Sequence, residues 1–281
     1  NSALYALTTG DNNVAIGKGA AVDLTSGGSN TFIGKDSGAN ITTSGDNVAV
    51  GYASLQTATT ALHNVALGYS AMGNVAASQA VSGAVAIGSG ALNGSASSNT
   101  NIGYTIAIGN NAAYSLTTGA GNIAIGHEAL KVHTTGARNI AIGKNVMVDT
   151  DAGSNSLGSS DNIFMGYNAG GGTWADAASN YNVAVGNYTM DGALNGANNN
   201  IAIGYQVMSA ATTADDNVVI GMQAGENVST GGQSVIIGKD AGRYHYTAYL
   251  NVLVGYSAGE YLGANSNAAT HTTAIGNIAG K

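Results

Sequence analysis

The stretch "GNIAIGHEAL", residues 121–130, is followed by "RNIAIGKNVM" at 138–147 and "NNIAIGYQVM" at 199–208. Five letters, Asn-Ile-Ala-Ile-Gly, are kept while the next two drift, and that contrast decides the fold. The closing glycine recurs at Gly17, Gly34, Gly51, Gly68, Gly88, Gly109, Gly126, Gly143, Gly166, Gly186, Gly204, Gly221, Gly238, Gly255 and Gly276. Eight of the 14 spacings share one length, that from Gly17 to Gly34, and the others are longer by one to six positions. A period of this length marks a stacked repeat architecture, in which each unit buries its apolar side only against its neighbours. Residues 1–281 therefore read as a single repeat domain of fifteen copies.

Positions within a turn can be numbered from the closing glycine as slot 0. Slot −1 is aliphatic or Met throughout, and slot −3 is Val or Ile in 13 of 15 copies. β-branched residues at this density favour strand over helix. Slots −3 and −1 are two apart, so on a strand they share a face, and they are expected to fill the interior. The sequence thus predicts an all-β, parallel β-solenoid of about fifteen 17-residue turns, stacked to about 70 Å of rod.

Slot −2 lies between them. It is Ala in ten copies and Phe32, Phe164, Val219, Ile236 or Leu253 in the rest, and is never polar. If slots −3 and −1 point inward, slot −2 points outward, and a strand apolar on both faces is normally covered on both. Phe32, Ala49, Ala66, Ala124, Ala141, Phe164, Val219, Ile236 and Leu253 are on this reading an interface between copies of the chain. Slot −4 is Asn in 11 of 15 copies, as at Asn13, Asn30, Asn47 and Asn64. Stacked amides of this kind can hydrogen-bond from turn to turn as a ladder. Slot +1 takes Tyr52, Tyr69 or Tyr205 as readily as Lys18, Lys35 or Lys144, so it should meet water. Insertions fall in the connection between one glycine and the next motif, as in "MVDTDAGSNSLGSSDN" and "GGTWADAASNYN".

The repeated Asn-x-Ala-Ile-Gly, with small residues after the glycine, resembles the head repeats of YadA-type trimeric autotransporter adhesins and the similar repeats of phage tail-fibre shafts. The likeness covers the whole chain. It implies a left-handed parallel β-roll, assembled as a homotrimer on a cell or virion surface and serving in attachment, hence an extracellular location. The 17-residue turn is longer than the usual head repeat, and no coiled-coil stalk or anchor is present, which brings the tail-fibre likeness forward. Neither end carries an atypical capping repeat, so the chain is expected to be an excerpt of a longer fibre or a unit stacking end to end.

Composition excludes several other functions. The 281 residues include 43 Gly, no Pro and no Cys, and only 8% are charged while 44% are hydrophobic. No apolar run reaches the ~18 residues of a membrane span, so no membrane-spanning helix is expected. A net charge of −7 and only two arginines, Arg138 and Arg243, argue against nucleic acid. Disulfides and cysteine-based metal sites are absent by composition. "GGQSVIIGKDAG" approaches a phosphate loop, but five residues separate Gly232 from Gly238 where four are needed, and Asp240 stands where Ser or Thr would hold magnesium. His127 and Glu128 lack the second His of a zinc helix. The turn acids Asp46, Asp161, Asp215 and Asp216 read as solvated turns rather than a calcium set. No enzyme activity, metal or cofactor is expected.

A ligand patch, if present, is best sought among aromatics on the irregular side. Trp174 and Tyr181 lie in one insertion, and "RYHYTAY" places Arg243, Tyr244, His245, Tyr246 and Tyr249 together. Such a group suits stacking on the sugar rings of a surface glycan or contact with a protein receptor. Three readings remain: a non-enzymatic attachment fibre, a self-stacking structural filament, and an ice-binding solenoid carried by threonines such as Thr43, Thr60 and Thr213.

Overall fold

A computed structural model describes residues 2–75, 80–94, 101–150, 158–262 and 270–280. The chain is all-β, with no helix among these residues. Its parallel strands stack as a β-solenoid of about 14 turns of about 17 residues. It divides into two compact units, Asn1–Arg138 and Asn139–Lys281, and each is described by itself.

In the first unit, each copy of the motif forms a three-residue strand: Val14–Ile16, Thr31–Ile33, Val48–Val50, Val65–Leu67, Val85–Ile87, Ile106–Ile108 and Ile123–Ile125. Neighbours pair in parallel and in strict slot register, Val14 on Thr31 and Ala15 on Phe32, then Thr31 on Val48 and Phe32 on Ala49. A second short ladder joins Thr60–Leu62 to Ala80–Ser82. The second unit repeats the arrangement with Ile140–Ile142, Ile163–Met165, Val183–Val185, Ile201–Ile203, Val218–Ile220, Val235–Ile237, Val252–Val254 and Thr273–Ile275. Its second ladder has three strands, Thr213–Asp215, Thr230–Gly232 and Thr247–Tyr249. Insertions leave the register intact: Ile140 pairs with Ile163 over the longest of the spacings, just as Ile201 pairs with Val218 over the shortest. Part of the insertion at 147–162 lies outside the described residues.

The faces are the reverse of the sequence expectation. Slot −2 points inward, and Phe32, Ala49, Ala66, Ala124, Ala141, Phe164, Val219, Ile236 and Leu253 are all fully buried within the single chain. They form its core, not an interface. Slots −3 and −1 point outward: Ile201 and Ile203 are each 38% exposed. The reason is room and parity. A three-residue strand sends its middle side chain to one side and the flanking two to the other. The narrow inside of a 17-residue turn has space for one side chain per strand, and small Ala suits it.

Slot −4 shares the inward direction of slot −2, and its asparagines are buried from Asn30 onward. Each side-chain oxygen accepts from the next amide in the stack. Asn30 Nδ2 and backbone N both donate to Asn13 Oδ1 at 3.0 Å, and Asn47 donates to Asn30 likewise. The second unit runs the same chain from Asn139 through Asn162, Asn182 and Asn200 to Asn217. The free Nδ2 hydrogen goes to a backbone carbonyl, as Asn162 does to Ser179 O at 2.9 Å. The polar atoms of these buried amides thus have partners along the ladder, as burial requires. Where Asn is replaced, the ladder survives through smaller groups: Ser234 N donates to Asn217 Oδ1, and Asn251 N to Ser234 Oγ.

The other walls of the core come from slot +3, usually Ala, and from slot +7, as with Leu24, Ile41 and Leu116. Slot +4 completes it. Here Leu55, Met72, Leu130, Met147, Met190 and Met208 adopt a positive φ near 50° while fully buried, a strain tolerated because packing over-determines it.

One half-buried acid sets a pH response. Asp191 in the second unit is pushed up to about 6, chiefly by burial, against hydrogen bonds from the backbone and Asn168 that pull it down. A raised carboxyl pKa means that the folded chain holds this proton more tightly than the unfolded chain, with its ordinary value of 3.8. Stability therefore falls as pH rises from the ordinary value through about 6 and stays reduced above it. Asp191→Asn is expected to raise stability at pH 7.5 by about 1 kcal/mol, the full shift being discounted because the side chain is only half-buried. At pH 3.5 the same variant should melt with the wild type. A thermal melt at the two pH values checks this, and a gain that is equal at both would sink it.

Candidate functional site

Two surfaces have the chemistry of a site. The first is the outer face of the motif strands. In the second unit, eight strands at about 4.8 Å spacing and three slots at about 3.3 Å give a stripe of roughly 34 Å by 10 Å. It is walled by Val, Ile and Met, among them Met165, Ile201, Ile203, Val252 and Ile275, all exposed. The first unit bears the equivalent stripe with Val14, Ile16, Val48, Val50 and Ile87 exposed. Slot +1 borders it with exposed tyrosines. Tyr52 stacks on Tyr69 with ring centroids 5.3 Å apart, and Tyr188, half-buried at slot +2, makes edge-to-face contacts with Tyr167 and Tyr205. An aliphatic band of this size matches the largest apolar patch of a typical monomer, a kind of patch that is often functional.

The aromatic group expected from the sequence is broken up. Trp174 is fully buried; its Nε1 donates to Gly170 O at 3.0 Å and its ring tilts against Phe164 at 5.7 Å. It is a core residue, because the turn that carries it delivers it to the interior place held elsewhere by Leu24 or Ile41. His245 occupies the same interior place and is likewise buried. Arg243 is committed: its Nε donates to Glu226 Oε2 at 2.6 Å and its Nη1 lies 3.6 Å from Asp240 Oδ1. Its guanidinium also lies 5.3 Å from the Tyr244 ring centroid, and Tyr244 stacks on Tyr261 at 5.1 Å. Tyr181, Tyr246 and Tyr249 remain exposed, but Tyr181 is four turns, about 19 Å of stack, from Tyr249.

Tyr249 instead joins residues from two preceding turns. With Thr213, Asp215, Asp216, Gly231, Gly232 and Gln233 it lines a recess of about 230 Å³. The strand register builds it: Asp215 pairs with Gly232, and Gly232 with Tyr249. One column at slot −6 thus reads carboxylate, no side chain, phenol, in three successive turns. Gly232 cannot be filled, since a Cβ there would come within 2.5 Å of Asp215 O. Both acids are held by one oxygen. Asp215 Oδ1 accepts from Asn198 N at 2.6 Å, and Asp216 Oδ1 from Asn199 Nδ2 at 3.1 Å.

No protein-family model, curated protein or solved structure matches this chain. No helix among the described residues is long and apolar enough to cross a membrane. The lining residues that sequence reasoning passed over are Gly231 and Gln233; it weighed Gly232 only as part of an incomplete phosphate loop, and read Asp215 and Asp216 as solvated turns.

Proposed function

We propose that this chain is a non-enzymatic fibre segment that assembles with copies of itself, as a left-handed homotrimer, and serves in attachment at a cell or virion surface. The observation that carries the reading is the pair of aliphatic rows on the outside of each unit. Val and Ile held at slots −3 and −1 turn after turn have no use inside the chain, which is already filled by slot −2. Three copies meeting along these rows would bury them. The resemblance of the motif to adhesin heads and tail-fibre shafts supports the threefold assembly and the surface location.

The test is the mass of the chain in solution by light scattering over a dilution series, with Ile201→Lys/Ile203→Lys beside the wild type. Wild type is expected at three times 27.6 kDa. The double variant should fall to one chain while keeping its β circular dichroism, because both residues are exposed in the single chain and a lysine there meets water until partners approach. A wild type that stays monomeric at every concentration would sink the proposal. Mass that grows without limit would replace it with the self-stacking filament.

A further inference from the structure

We propose that the recess beside Tyr249 is a binding site for a neutral pyranose, one that presents adjacent hydroxyl groups. This rests on the attachment reading and gives it a ligand class and an address. Asp215 and Tyr249 stand two strand spacings apart, about 9.6 Å, with the bare Gly232 between them. The side chains flanking Gly232 leave a gap between them, and its floor is backbone.

The recess of about 230 Å³ is smaller than the roughly 300–1,000 Å³ of pockets for drug-sized molecules, so it admits one sugar and not an oligosaccharide. Its polar groups match a polyol. The Asp215 and Asp216 carboxylates are acceptors whose second oxygens take no hydrogen bond from the described residues, and each can take a hydroxyl proton. The Thr213 hydroxyl and the Gln233 amide both donate and accept. Tyr249, 47% exposed, offers an apolar ring for the sugar C–H groups and a phenol for a further hydroxyl. Among the described residues, no Lys, Arg or His lines the recess. Two carboxylates without a countercharge repel an acidic sugar, so the sugar bound carries no negative charge.

The experiment is saturation-transfer NMR on the full chain with the methyl glycosides of glucose, galactose, mannose and N-acetylglucosamine. Methyl glucuronide serves as the anionic control and N-acetylarginine amide as the cationic one. At least one neutral glycoside is expected to receive saturation, at least tenfold more strongly than the glucuronide. Tyr249→Ala and Asp216→Asn, both at exposed positions, should each weaken that binding at least tenfold without changing the melt. The proposal is overturned if no neutral glycoside binds, if Tyr249→Ala binds as well as wild type, or if the arginine amide binds in preference to every sugar. Light scattering on the same samples separates the two claims. A three-chain mass without sugar binding sinks the recess alone, and sugar binding by a monomer sinks the assembly alone.

Discussion

Gly109→Ala is expected to cost the first unit about 3–5 kcal/mol, most of what holds a domain of this size folded. At slot 0 the backbone turns the corner out of the strand with φ +138°, a conformation that L side chains rarely adopt. The added Cβ would also lie 2.3 Å from Gly126 O and 2.6 Å from Gly126 C in the next turn. Neither atom is the end of a flexible side chain, so the strands themselves must separate. The bonds at risk are Gly126 N to Ile108 O at 2.7 Å and Glu128 N to Asn110 O at 2.9 Å, each contributing about 1 kcal/mol net. Gly121→Ala is the control. It too has a positive φ, but its Cβ would find only Arg138 Cγ, at 3.8 Å, so it should cost about 1 kcal/mol. Denaturant titration of the two variants reads the difference. Equal losses would mean that neither the wide positive φ of slot 0 nor the approach of stacked turns fixes glycine there.

The period, the short parallel strands and the asparagine ladder were legible because each is a repeated physical demand: a corner only glycine can turn, a β-branched pair, an amide that must find a partner. The direction of the faces was legible in principle and misread. Asn at slot −4 and Ala at slot −2 are two apart, so they share a face, and an amide ladder is buried against backbone carbonyls while Val and Ile are then left outside. Size alone argued the other way, since larger apolar residues are usually the inner ones. The misplacement of Trp174 has a similar origin: an insertion hides its slot, and only the stacked register, with Asp149 beside Thr173, shows that it takes in its own unit the place that Leu24 takes in the first. The recess was hidden differently. Asp215, Gly232 and Tyr249 follow one another at the repeat period, so their meeting could be deduced, but a search for local clusters such as "RYHYTAY" does not look down a column.

The same column logic carries the second large effect, Phe164→Ala, expected to cost the second unit about 3–5 kcal/mol through the lost contacts and the cavity left behind. Slots −2 and +4 face each other inside one turn and trade volume. Where slot −2 is large, slot +4 is glycine: Phe32 with Gly38, Phe164 with Gly170, Val219 with Gly225, Ile236 with Gly242 and Leu253 with Gly259. Where it is Ala, slot +4 is mostly Leu or Met, as in Ala49 with Leu55 and Ala184 with Met190. The geometry shows why, for a Cβ on Gly170 would sit 2.7 Å from Phe164 Cδ1, and one on Gly38 would sit 2.5 Å from Phe32 Cδ1. Gly170→Met alone should therefore overpack the turn and destabilise it by about 1–3 kcal/mol. Combined with Phe164→Ala it recreates the pairing that Ala184 and Met190 make one turn later, where Met190 sits at the same kind of positive φ. The double variant should be more stable than Phe164→Ala by at least about 1 kcal/mol, a coupling of opposite sign to either single change. Trp174 fluorescence reports the repacking directly, since its ring lies against Phe164 at 5.7 Å. Its emission should shift to the red in Phe164→Ala and return in the double variant. Strictly additive losses would show that the two slots fill separate spaces, and the match between them in five turns would then have no packing cause.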